Sequence, residues 1–231
     1  MKTLRKHLEK LRAVKRRSYH PLIHKIRKRY KISKKTLLYV KEYGPHTNVP
    51  KTIVKECLKI LLFASIISSF GGLALEHIKD IFIPIVPLIL VLPALNDMIG
   101  DYGIIISSRF STLLHTGKIR GRWYKNNDLK KLFAQIFIIS ILTAIITSSI
   151  ALAISHASGF GFNARIAYKI FLISVIDIIL LVNILFLVSI FAGLYYYKKN
   201  EDPDNFLIPL TTSIADFGNM LILAILVILL F

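Results

Sequence analysis

Cysteine is nearly missing: Cys57 stands alone among 231 residues. That excludes a disulfide within the chain and any cysteine-built metal site, and leaves Cys57 as a small inert hydrophobe. Acid is scarce too, with 13 Asp and Glu against 31 Lys and Arg and a formal net charge of +18. Charge of either sign is thinnest in several apolar runs of about 20 residues or more, the length that crosses a bilayer. With 54% hydrophobic residues and a mean hydropathy of +0.58, the chain reads as an all-α polytopic membrane protein rather than a soluble domain.

The positive charge is unevenly spread. Residues 1–51 hold 17 Lys and Arg against only Glu9 and Glu42, so 15 of the 18 net charges lie there. No apolar run of signal-peptide length follows this start, so no signal peptide is expected. Leu4, Leu8 and Leu11, then Leu22, Ile26 and Tyr30, recur at near-helical spacing. The segment therefore reads as a basic, helical cytosolic arm that touches anionic lipid headgroups. It has scattered tyrosines and no nucleic-acid fold motif, so nucleic acid is not expected as a partner. Gly44-Pro45 and Pro50 separate it from a membrane domain over 52–231.

Five spans are predicted in that domain, at about 53–75, 81–108, 132–154, 166–195 and 206–231. A short turn over Glu76–Asp80 joins the first two. The loop after the second span carries Lys118, Arg120, Arg122, Lys125, Lys130 and Lys131, and the loop before the fifth carries Lys198 and Lys199. Their charge puts both on the cytoplasmic side. The predicted protein is thus multi-pass in the cell membrane, with its N-terminus cytoplasmic and its C-terminus outside.

The spans are not wholly apolar. Ile99-Gly100-Asp101-Tyr102-Gly103 in the second is echoed by Ile214-Ala215-Asp216-Phe217-Gly218 in the fifth, each with a proline (Pro93, Pro209) seven or eight residues before the aspartate. A carboxylate at such depth costs several kcal/mol unless water, a partner or a cation meets it, so its default reading is functional. The two spans run antiparallel, and both acids fall between the midplane and the inner half. Asp97 precedes Asp101 by one turn and shares its face. Thr212, Ser213 and Asn219 add uncharged oxygens near Asp216. Oxygen ligands of this kind suit a hard divalent cation, and magnesium keeps most of its waters while taking one or two carboxylates. The competing reading is that the acids are buried in hydrogen bonds or ion pairs, Arg109 being the obvious partner two turns from Asp101. Asp177 in the fourth span has no second motif around it and reads as structural or gating.

Pro93-Ala94-Leu95, Gly100-Asp101 and the run Ser108-Arg109-Phe110-Ser111-Thr112-Leu113-Leu114-His115 resemble the signature of the MgtE superfamily, especially its solute-carrier and half-size prokaryotic branch. Asp202-Pro203-Asp204-Asn205, Ile208-Pro209, Thr211-Thr212 and Asp216-Phe217-Gly218 resemble that family's last-helix motif. The resemblance implies a five-helix unit that pairs with a second copy, with a magnesium path lined by the second and fifth helices. It implies that Asp216 coordinates the ion. At Gly100-Asp101 an acid stands where the family has an amide, which adds negative charge to each protomer. Two copies of Asp101 and Asp216 would ring one path with four carboxylates, and a divalent cation would relieve their repulsion.

Two other classes of protein share parts of this pattern. Asn96-Asp97 with Asp101 is similar to the magnesium-binding motif of intramembrane prenyltransferases, which act on lipid-linked diphosphates, but the second acid follows after four residues instead of three. The CDP-alcohol phosphotransferase pattern lacks its acidic second half, because Lys, Arg and Trp follow Gly117 and Gly121. An enzyme is therefore not expected. A sodium- or proton-coupled exchanger, with Asp177 as the coupling site, uses the same intramembrane acids and stays open beside a channel.

Overall fold

The structure is a computed structural model that describes residues 49–119, 123–199 and 202–231, together with Lys10, Lys25, Ile26, Lys28 and Arg29. The arm expected over 1–51 lies almost wholly outside the described residues. Five long helices follow in order: α1 (Val49–Phe82), α2 (Val86–His115), α3 (Asn127–Ala157), α4 (Ala164–Lys198) and α5 (Asp204–Leu230), with one 3-10 turn over Trp123–Lys125. Each of the five contains a stretch long and apolar enough to cross a membrane, and there is no strand among the described residues. The chain is the all-helical, five-span membrane protein that its composition demands.

The helix ends show where local chemistry overrides hydropathy. The turn expected over Glu76–Asp80 is helical instead, and α1 runs on to Phe82. Polar side chains do not stop a helix once it leaves the apolar layer, and Lys79 pairs with Glu76 three residues away on the exposed surface. The break comes at Pro84, which has no N–H to donate. α2 then begins with Pro87 in its first turn, where the missing donor costs nothing. α3 and α4 both start before their apolar runs because asparagines cap them. Asn126 accepts from the Leu129 N–H at 3.0 Å. Asn163 accepts from the Arg165 and Ile166 N–H groups at 2.9 and 3.3 Å.

α5 is the hub of the bundle, packing on α1, α2 and α4, while α2 also packs on α3 and α4. α1 lies almost entirely against α5 and barely meets α2, although only Ile83–Ile85 separates them. From α2, Leu88, Val91, Leu95, Ile99, Tyr102 and Ile106 recur every three or four residues and enter one core with Ile170, Ile173, Leu181 and Leu185 of α4 and Leu223 and Val227 of α5. The outward faces stay apolar, as at Leu61, Leu62 and Phe70 of α1 and Ile138 and Ile146 of α3. Such faces suit lipid.

Lipid is as apolar as leucine, so close packing and interhelical hydrogen bonds must hold the helices together. Gly103 lets α5 approach so near that a Cβ there would stand 3.2 Å from Thr211 Cβ. Thr211 Oγ1 lies 3.1 Å from Ser107 Oγ, and Ser107 Oγ lies 3.3 Å from Ser189 Oγ, so hydroxyls from α2, α4 and α5 meet in a buried group. Pro209 inside α5 cannot donate to the carbonyl of Asn205 four residues back. Cys57 of α1 donates its thiol to that same carbonyl at 3.4 Å. The lone cysteine is thus a partner for a proline-freed backbone oxygen, which corrects its reading as an inert filler.

At the end of the bundle where the two basic loops emerge, α2, α4 and α5 close over Phe110, Leu114, Ile190 and Leu207. His115 Nε2 stands 3.5 Å from Asp202 Oδ1 there, and Tyr196 stacks on Phe206.

Candidate metal centre

The site builds outward from Asp216. It lies 12 residues into the 27-residue α5, about 18 Å from the helix start, and is partly buried. Asn96 of α2 donates through Nδ2 to Asp216 Oδ1 at 2.8 Å. Ser68 of α1 donates to Oδ2 at 3.3 Å. Asn219, one turn on along α5 and completely buried, donates to Asn96 Oδ1 at 3.0 Å. Three helices therefore meet at one carboxylate, and an amide relay from Asn219 through Asn96 fixes the direction in which it points.

The electrostatics follow from that partner set. Ser68 and Asn96 are neutral donors, which stabilise a carboxylate without cancelling its charge. Among the described residues no Lys, Arg or His forms an ion pair with Asp216. The site is a carboxyl group held by neutral donors partway along α5, with no cationic partner among the described residues.

Asp97 and Asp101 occupy a different face. Both are exposed on the surface of the bundle, as are Pro93, Ile105 and Arg109, and these residues recur every four positions along α2. Asp101 lies five residues after Asn96, roughly 140° round the helix, so it is turned away from the side that meets Asp216. The structure brings Asp216 together with Asn96, Asn219 and Ser68, and does not join it to Asp101. Arg109 sits two turns beyond Asp101 on the exposed face, and no ion pair links it to either aspartate among the described residues. Nor do three His, Cys, Asp or Glu side chains gather as a metal-holding group among those residues.

Gly100 has open space in front of it, with no atom from beyond its own stretch of helix within 4 Å of a Cβ placed there. Thr212 donates to the Ile208 carbonyl at 3.0 Å and Ser213 to the Leu210 carbonyl at 3.0 Å, so both hydroxyl protons are used within α5. Asp177 is fully buried in α4, and neither of its carboxylate oxygens bonds to this group. Sequence reasoning missed Ser68 as a partner of Asp216 and treated Asn96 only as part of an enzyme-like motif. Asn96 had a signal, being an amide beside Asp97 inside an apolar span. Ser68 had none, since its role depends on α1 lying against α5.

A five-span helical bundle with acids and amides partway along its helices defines an integral membrane protein with a polar centre. A family model described as divalent cation transporter, MgtE, matches residues 92–226, more than half of the chain. The chain belongs to the MgtE family of divalent cation transporters, as its motifs suggested; these proteins are transporters rather than enzymes. No curated protein and no solved structure matches it.

Proposed function

We propose that this protein carries magnesium across the cell membrane through a path lined by α2 and α5 of two identical chains. Asp216 is the central ligand, and Asp101 and Asp97 line the approach. The observation that carries the reading is the exposure of Asp97 and Asp101 on α2, 11 and 15 residues into a helix of 30. They lie about 17 and 23 Å along an axis of about 45 Å, deep in the apolar layer. An acid facing lipid at that depth costs about 2.5–3.5 kcal/mol on insertion scales. A face with two of them needs protein and water in front of it, and a second copy presenting the same face supplies both by two-fold symmetry.

Asp216 supports magnesium in particular. A hydrated ion needs one or two carboxylates and retains its waters, and one carboxylate from each protomer with neutral amides alongside meets that need. The basic arm and the two basic loops are the cytoplasmic side in this reading, and the C-terminus lies outside. The arm rests on anionic headgroups.

The test is magnesium flux in liposomes containing the purified protein, with wild type beside Asp216→Asn and Asp101→Asn. Flux in the wild type that collapses in Asp216→Asn supports the site. Undiminished flux in Asp216→Asn removes Asp216 as the ligand, and absence of any divalent-ion flux in the wild type removes the transport reading.

A further inference from the structure

Asp177 belongs to no part of the site described above. It lies about 20 Å into α4, close to mid-depth, and its relative exposure is 0%. Neither carboxylate oxygen has a hydrogen-bond partner among the described residues, and Ser174 Oγ, one turn earlier on the same face, is equally unpartnered. Leu181, one turn later on that face, packs so tightly on α5 that a Cβ at Gly218 would stand 2.5 Å from its Cδ2. Gly218 is two residues from Asp216, roughly 200° round α5. The face of α4 that carries Asp177 and Leu181 thus meets α5, through Leu181, on the side away from Asp216.

Among the described residues, no charged group on the elements around α4 pairs with Asp177. On α2, Asp97, Asp101 and Arg109 are on the exposed face, His115 is at the helix end beside Asp202, and Tyr102 is bonded to Thr143 of α3. On α3, Asp128, Lys130 and Lys131 lie in the first turns and His156 in the last. On α5, Asp204 begins the helix and Asp216 is engaged by Ser68 and Asn96. On α4 itself, Arg165, Tyr168 and Lys169 lie two or more turns nearer its start, Lys169 standing over the Phe231 ring at 4.3 Å. Tyr195, Tyr196, Tyr197 and Lys198 lie at its far end.

A bare carboxylate in such a place carries the full cost of desolvation with no donor to offset it. A metal ion would need a shell of several oxygens, whereas the two carboxylate oxygens and the Ser174 hydroxyl are all that this face offers, the helix carbonyls being used within α4. A proton needs only the carboxyl group. The resulting neutral acid can donate its O–H to the carbonyl four residues back, as serine and threonine do inside helices.

We infer that Asp177 is a proton-binding site, separate from the cation site at Asp216, loaded in this packing of α4 on α5 and unloaded when the two helices part and admit water. The binding step is simple: a proton from water joins one carboxylate oxygen, and the neutral acid returns it to water on opening. Joined to the transport reading, on which this part of the inference rests, the site makes cation movement sensitive to pH through a residue that touches no cation.

Infrared difference spectroscopy of the full chain in liposomes tests the site without any transport measurement. At neutral pH the wild type should give the carbonyl band of a protonated carboxyl, lost in the near-isosteric Asp177→Asn and kept in Asp216→Asn. A wild-type spectrum without that band, or a band that survives Asp177→Asn, overturns the site. A second arm follows magnesium flux from mildly acidic to mildly basic pH. The wild type should vary several-fold and Asp177→Asn should be flat; an unchanged pH profile in Asp177→Asn overturns the link to transport. If the wild type moves no magnesium, the transport reading fails and the link with it, while the spectroscopic arm still decides the proton site.

Discussion

Asn96 of α2 donates to Asp216 of α5 at 2.8 Å and accepts from Asn219 at 3.0 Å. One amide thus ties the two helices at mid-depth and orients the carboxylate. Replacing Asn96 by Leu removes a donor from Asp216 and strands the buried Asn219 amide. A buried polar group without a partner costs about 1–3 kcal/mol. Thermal unfolding in detergent should register that loss, and magnesium flux should fall with it. Asn96→Asp, which sets a like charge against Asp216, should be the more damaging of the two. Wild-type stability in Asn96→Leu would remove the relay as a structural element.

The exposed aspartates give the opposite expectation. Asp97 and Asp101 are exposed and form no ion pair among the described residues, so replacing both by Leu should leave the unfolding temperature of the single-chain bundle unchanged. Flux should nevertheless be lost. Full flux in the double variant would mean that this face does not line the path.

Glycines sort into two kinds by what lies in front of them. Gly218→Ala drives a methyl into Leu181, and overpacking of this sort typically costs about 1–3 kcal/mol. Gly100→Ala meets nothing within 4 Å and should be neutral for stability. If Gly100→Ala still reduces flux, the space in front of Gly100 belongs to the ion path or to the partner chain. Unfolding midpoints and flux measured side by side separate the two effects.

Cys57 and Pro209 should be coupled. Cys57→Ala leaves the Asn205 carbonyl without the thiol donor it has at 3.4 Å, while Pro209→Ala restores a main-chain N–H that can take the same oxygen. In a double-mutant cycle the cost of Cys57→Ala should shrink in the Pro209→Ala background, by an interaction energy of about 0.5 kcal/mol or more. Additive effects would show that the thiol contact is incidental.

Much of this was legible before the structure. The five spans, their order and the family followed from apolar length and two motifs, because a bilayer leaves a helix few alternatives. The end of α1 was misplaced because Glu76–Asp80 looked like a turn, whereas the absent N–H of Pro84 decides where the helix stops. The early starts of α3 and α4 are written in Asn126 and Asn163, capping asparagines just ahead of apolar runs that hydropathy alone does not register.

By itself the sequence determined the class of protein, the number of spans and the presence of acids within them, since these depend on local composition and helix length alone. Only the tertiary structure decided what each acid meets. A helix presents a new direction every 100°, so neighbouring polar residues such as Asn96 and Asp97 point to different surroundings. Which of them faces α5, which lies exposed, and that Ser68 reaches Asp216 from a helix scarcely touching α2, follow from how the five helices pack, and no single segment encodes that.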